Sequence, residues 1–229
     1  MTQLTFMQTL RRKTGQLEKI INDNSTYLAG VLGVIALGIG IWYGYRYLTI
    51  QKEEAAQSVL ADCFAEYENA AQKKGQWADV ARMCKIGYEK YSSTKVAPYI
   101  LAVEIDALLM EQKHEEALTQ LDQMLARIGT SSPLYYLYKT KHALLKIDMP
   151  DVPLQQSGFK DLEQLAFDTN NIYNDEAQFY LGLYYRMQDQ NQKSQEIWSA
   201  LAKCNENLTD KQAQSPWAVL AQEKINGLI

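Results

Sequence analysis

Two histidines, three cysteines and scattered pairs of carboxylates are the side chains from which this 229-residue chain could build a reaction centre. Neither His114 nor His142 lies in a Gly-flanked or serine-rich stretch of the nucleophile-elbow kind, so a nucleophilic serine has no base beside it in sequence. A zinc site asks for Cys and His at short fixed spacings. Cys63, Cys84 and Cys204 form no C-x-x-C, and the histidines stand 28 residues apart with no cysteine nearby. No G-x-x-x-x-G-K-[ST], G-x-G-x-x-G or H-E-x-x-H occurs. Glu115 and Glu116 are consecutive on a helical pattern and so point ~100° apart, as side chains of a solvated face do. The chemistry-bearing residues therefore read as those of a protein with no catalytic, cofactor, metal or small-molecule site.

The fifteen tyrosines are more suggestive. Tyr135, Tyr136, Tyr138, Tyr173, Tyr180, Tyr184 and Tyr185 fall in one third of the chain, where amphipathic rings could line a groove for an extended or helical peptide. Tyr135, Tyr138, Tyr180 and Tyr184 are the groove candidates, Tyr184 foremost because its neighbour Tyr185 fills a core position. The plainer reading is core rings with their hydroxyls at the rim.

Helices must position these residues, since strand signals are almost absent after Ile50 and the fold class reads as all-α. QKEEAAQSVLADCFAEYENAAQKK carries Ala56, Leu60, Cys63, Phe64 and Tyr67 on one face. WADVARMCKIGYEKY repeats the pattern after the turn at 73–76. Cys63 and Cys84 then fall opposite each other in a helical hairpin. Packed helices lie ~8–10 Å apart, whereas a disulfide wants Cα atoms within ~7 Å, so contact is expected and the bond depends on a close approach at small residues such as Ala81. Cys204, without a partner, is expected as a buried thiol. A second hairpin spans residues 97 to 128, and Ser132-Pro133 opens a further helix. MPDVPLQQSG reads as a loop, with FKDLEQLAFD the helix after it.

Helix pairs of similar size raise the question of repeats. Leu181, Gly182 and Tyr185, with Ser194 and Trp198 at the later small and aromatic positions, match the spacing of a tetratricopeptide repeat. The glycine and the small residue allow two antiparallel helices to approach, and the aromatic fills the groove between neighbouring hairpins. Ala117 and Leu121, then Val80 and Cys84, occupy the same slots upstream, with the proline-rich loop absorbing the excess length.

Before the repeats lies Tyr27 to Tyr45, nineteen residues with no charge and no proline. As a helix it is ~28 Å long, close to the hydrocarbon thickness of a bilayer. Trp42, Tyr43, Tyr45, Arg46 and Tyr47 form an interfacial belt at its exit, and no small-x-small site follows that would mark a cleaved signal peptide. The domains are accordingly 1–24, an amphipathic segment on the cytoplasmic leaflet with Leu17, Ile20 and Ile21 on one face; 25–50, a single transmembrane anchor; and 51–229, a tetratricopeptide-like domain. Ala29 and Gly33, then Ala36, Gly40 and Gly44, form ladders of small residues suited to packing against another membrane helix. Arg11, Arg12, Lys13 and Lys19 before the span, against Arg46 and Lys52 after it, place the N-terminus in the cytoplasm. Residues 1–50 carry a net charge of +3 and residues 51–229 a net charge of −7. That balance argues against nucleic acid as a partner of the large domain.

The glycine-rich span, its exit at Gly40, Trp42, Gly44, Arg46 and Tyr47, the helix start at Glu115-Glu116-Ala117 and the terminal Lys224-Ile225-Asn226-Gly227-Leu228-Ile229 together resemble the YfgM-like family. These are ancillary subunits of the Sec translocon in Gram-negative inner membranes. The segment between Ile128 and Asp175 is longer here than the family requires. The resemblance implies a periplasmic, non-enzymatic interaction module beside the translocon, partnered by a membrane-anchored chaperone of the prolyl-isomerase type or by newly exported chains. The alternative from the residues alone is a structural scaffold in another envelope complex, in outer-membrane assembly or division.

Overall fold

The computed structural model describes residues 25–130, 132–206 and 214–227, with the side chains of residues 25–29, 31, 32, 133 and 204–206 outside the description. Every regular element among the described residues is an α-helix: α1 Ser25–Ala71, α2 Trp77–Tyr91, α3 Ala97–Met110, α4 His114–Arg127, α5 Pro133–Asp148, α6 Val152–Phe167, α7 Asn174–Met187, α8 Asn191–Glu206 and α9 Pro216–Ile225. The chain divides into two units, Met1–Ala55 and Ala56–Ile229. The amphipathic segment expected at 1–24 and the thiol expected at Cys204 lie outside the described residues, as does the side chain of Ala29.

In the first unit, α1 leaves Val34, Ile35, Leu37, Ile39, Ile41, Trp42, Tyr43, Tyr45, Tyr47, Leu48 and Ile50 exposed. The Arg46 guanidinium lies over the Trp42 ring, 5.5 Å from its centroid. Among the described residues no helix is long and apolar enough to cross a membrane. Within the sequence-based span, the side chains of Tyr27, Leu28, Ala29, Val31 and Leu32 lie outside the description.

The second unit is a series of four antiparallel hairpins and a last helix: residues 56–71 with α2, then α3 with α4, α5 with α6, α7 with α8, and α9. Its core follows the series as successive clusters, each sharing helices with the next. The first joins hairpins one and two and takes in Tyr138 and Leu145 of α5. Ala143, Leu162, Ala177 and Leu181 join α5, α6 and α7. Phe179, Trp198, Leu201, Ala218 and Ala221 join α7, α8 and α9. Interfaces of this nearest-neighbour kind hold repeat arrays together.

The turns inside hairpins one, two and four share one backbone device. Lys73, Gln112 and Asp189 stand in the left-handed region at φ 59°, 58° and 57°. Each is followed by a residue whose N–H reaches back five positions, Lys74 to Asn69 O, Lys113 to Leu108 O and Gln190 to Tyr185 O, at 2.8–2.9 Å. This is the Schellman ending of a helix, written here without glycine.

The third hairpin differs, and it corrects the loop expected at MPDVPLQQSG. α6 begins at Val152, with proline in its first turn and Asp151 as its cap, the side chain accepting from Leu154 N at 2.9 Å. Proline is tolerated there because the first-turn N–H has no intrahelical acceptor in any case. Part of the extra length between repeats is therefore helical: α5 and α6 of the third hairpin have 16 residues each, against 14 each in α3 and α4 of the second. Gly158 lets α6 lie on the backbone of α5, since a Cβ there would stand 2.6 Å from Ala143 O and 3.0 Å from Ile147 N. Gly158 and Leu162 thus fill the slots held by Ala117 and Leu121 in the hairpin before and by Ser194 and Trp198 in the hairpin after.

Candidate interaction surface

The last full repeat shows how the motif residues work. Gly182 of α7 faces Trp198 of α8 so closely that a Cβ at residue 182 would lie 2.4 Å from the indole Nε1. That indole is buried and donates to Phe179 O at 3.1 Å. Leu181, Tyr185 and Ser194 are buried beside them. Tyr185 meets Phe159 of α6 edge-on at 5.7 Å, linking this hairpin to the one before.

The first helices of successive pairs are joined by polar contacts. Lys141 of α5 pairs with Asp106 of α3 at 2.5 Å and lies over the Tyr138 ring at 5.2 Å. Burial pushes the Tyr138 hydroxyl up to about 12, with the Asp106 charge acting in the same direction. Glu176 of α7 is raised by burial and then by Asp175, while Lys141 opposes the shift. Asp175 accepts a hydrogen bond from Ser215 Oγ at the start of α9. The Tyr180 ring lies 5.4 Å from that of Trp217 in α9. Its hydroxyl is held above the ordinary tyrosine range by burial and then by Glu176. Asp106 and Lys141 thus link α3 with α5, and Asp175, Tyr180, Ser215 and Trp217 link α7 with the α9 segment.

The four groove candidates take different places. Tyr135 and Tyr138 of α5 both pack into the first cluster, Tyr138 buried and Tyr135 half-buried with its hydroxyl accepting from Lys139 Nζ at 3.2 Å. Tyr180 turns to α9, whereas Tyr184 stacks on Phe159 of α6 at 4.7 Å. The two rings of α7, one turn apart, therefore meet aromatic rings of different neighbouring helices. Gly33, Gly40 and Gly44 of α1 are open, with nothing within 4 Å of where a Cβ would stand.

The two histidines take different places. His142 is buried with Nε2 3.0 Å from Asp122 Oδ1, which ties α5 to α4. Burial holds its pKa below the usual value, Lys146 adds to the effect, and Asp122 opposes it. His114 lines an open cleft of about 480 Å³ with Lys113, Glu115, Glu116, Asp148 and Met149. Among the described residues no group of three or more His, Cys, Asp and Glu side chains is placed to hold a metal ion.

The Cys63–Cys84 contact expected from the hairpin register is made, as a disulfide with Cα atoms 5.7 Å apart. Three features escaped the sequence reading. Gly87 lies where a Cβ would stand 2.4 Å from Val59 Cγ1, so its lack of one lets the two helices approach beside the bond. Gly158 was hidden by the prolines. Glu104 is buried in α3 with Oε2 unpartnered, and burial pushes its carboxyl up to about 7, Lys85 opposing and Glu89 and Glu116 reinforcing. Its position four residues from both Ile100 and Leu108, on one helical stripe, was the available signal.

No protein family matches the sequence, and no curated protein matches it. Among solved structures the chain is similar to the nearly identical TPR-like repeats of a protein from Podosopora anserina designated a kinesin light chain. That crystal structure aligns with a TM-score of 0.55 at 12% identity, over 76% of this chain and 89% of that one. A point variant of the same repeats aligns with a TM-score of 0.56 at 12% identity, over 76% and 88%. At that identity the likeness concerns the fold: the helical hairpins are TPR-like repeats.

Proposed function

We propose that this chain is a membrane-anchored, non-enzymatic interaction module of a bacterial inner membrane. Residues 1–24 lie in the cytoplasm, 25–50 form the anchor, and the repeats at 51–229 face the periplasm. The observation that carries the anchor is the exposure of large apolar side chains from Val34 to Ile50. Successive side chains turn ~100° around a helix, so the exposed Val34, Ile35, Leu37, Ile39, Trp42, Tyr43 and Tyr47 are spread around all of its sides. A groove on a partner protein covers one side of a helix, whereas lipid covers all of them. The uncharged run from Tyr27 in the sequence supplies the remaining length.

The Cys63–Cys84 bond supports a compartment outside the cytoplasm, where disulfides persist. The resemblance at the helix exit and the C-terminus supports the Sec translocon and a membrane-anchored periplasmic chaperone, or newly exported chains, as what the repeats hold. Purified in mild detergent from its own membranes, the full chain should retain a translocon subunit and a membrane-anchored prolyl isomerase. Recovery of outer-membrane-assembly or division components in their place supports the scaffold reading and overturns this one. A reporter enzyme active only outside the cytoplasm should work when fused after Ile229 and stay silent after Asn24; the reverse pattern rejects the topology.

A further inference from the structure

The hairpins of the second unit are not equally protected. In a quasi-one-dimensional array each hairpin is stabilised through its neighbours, and an end hairpin has one neighbour where the others have two. At the C-terminal end α9 covers the last pair, burying Ala218 and Ala221 against Trp198 and Leu201. At the other end, hairpin one leaves Phe64 of α1 and Ile86 of α2 at 50% and 60% exposure. Ala56 and Ala70 of α1 and Val80, Ala81 and Tyr88 of α2 are buried, Val59 and Leu60 are half-buried, and Tyr67 meets Trp77 edge-on at 5.0 Å near the turn.

A covalent bond stands where the other end has a helix. Cys63 and Cys84 are both fully buried, and their Cα atoms lie 5.7 Å apart, within the span a disulfide bridges. Gly87 makes the approach possible, because a Cβ there would come within 2.4 Å of Val59 Cγ1. The bond closes a loop with a sequence separation of 21 and so removes open conformations of this hairpin and of no other.

We propose that the Cys63–Cys84 disulfide is a redox latch on the first hairpin. Oxidised, it holds residues 56–71 against α2 and completes the array. Reduced, it lets that hairpin open while the later ones stay folded. The reductant is a dithiol, protein or small molecule: its thiolate attacks one sulfur, a mixed disulfide forms, and its second thiolate displaces the protein sulfur. The cysteines gain two electrons and two protons and become thiols, and the dithiol leaves as a disulfide. Both sulfurs are buried, so attack waits on a transient opening of the hairpin, which its exposed Phe64 and Ile86 favour. Opening frees Val59, Leu60, Val80 and Tyr88, an apolar strip that the closed hairpin conceals.

Hydrogen exchange on the full chain in mild detergent, before and after treatment with dithiothreitol, tests the latch, with thiols counted by alkylation. Once Cys63 and Cys84 are reduced, amides of residues 56–91 should exchange at least tenfold faster, while those of α5 to α8 change less than twofold. A Cys63→Ala/Cys84→Ala variant should show the reduced pattern with and without the reagent. The proposal fails if residues 56–91 keep their protection after reduction, or if all four hairpins lose it alike. It fails equally if the bond resists the dithiol in the folded protein, or if the variant still responds to it. Should the variant not fold, the comparison of oxidised and reduced wild-type protein decides alone.

Discussion

Replacing Glu104 by Gln should stabilise the protein at neutral and alkaline pH and leave it little changed in acid. The carboxyl is 2% exposed, with Oε2 unpartnered, and burial moves its pKa from 4.5 to about 7. A carboxyl whose folded pKa is raised binds its proton more tightly in the native state. Its favourable contribution is complete below pH 4.5, declines as the unfolded chain ionises, and is gone above pH 7. At ~1.4 kcal/mol per pKa unit, the burden on the folded state at pH 8 is about 3 kcal/mol. Glutamine keeps the shape and cannot ionise. Any cost of its unpartnered amide is the same at every pH, so the informative quantity is the difference between two differences. Urea unfolding of wild type and Glu104→Gln, followed by circular dichroism at pH 4 and pH 8, should give a stability gap about 2–3 kcal/mol more favourable to the variant at pH 8. A gap that is equal at the two pH values within ~0.5 kcal/mol refutes the reasoning, because an ionised, water-accessible carboxylate would behave that way.

Gly182→Ala places a methyl against the Trp198 indole and should cost about 1–3 kcal/mol, visible as an earlier urea midpoint with altered tryptophan emission. Gln112→Gly should add about 1 kcal/mol, because residue 112 holds φ 58° and a Cβ in the left-handed region is unfavourable; an unchanged midpoint contradicts this. His142 is held below its usual pKa, so the stability it confers is present above pH 6.5 and is lost as pH falls through its folded value. His142→Gln should flatten the fall in melting temperature between pH 8 and pH 5, and an equally steep fall in the variant assigns the loss to other groups.

What could be read from the sequence was whatever short-range spacing dictates. Leu181, Gly182, Tyr185, Ser194 and Trp198 stand at positions that two antiparallel helices impose on each other, so five residues predicted one hairpin. Cys63 and Cys84 followed from the same register, whereas the glycine that draws them together is one turn further on and belongs to no spacing rule. The direction of a ring is less accessible. Tyr180 and Tyr184 are one turn apart on α7, yet one contacts α9 and the other α6, because neighbours on two sides of the helix compete for them.

The third hairpin shows why the repeat signal faded where it did. Prolines at 150 and 153 suggested a loop because proline inside a helical pattern interrupts it, but Pro153 falls in a first turn that Asp151 caps, which removes the conflict. The glycine needed for close approach stands on the second helix here, at Gly158 against α5, whereas in the last hairpin it stands on the first, at Gly182 against α8. A motif written for one helix detects the second case and misses the first, although the steric requirement is the same. The turns hide in a similar way: Lys73, Gln112 and Asp189 adopt a conformation that glycine would adopt at less cost, and each is held there by two backbone hydrogen bonds. Those bonds depend on the backbone alone, so hairpins one, two and four keep one turn geometry while the side chains that would announce it have diverged.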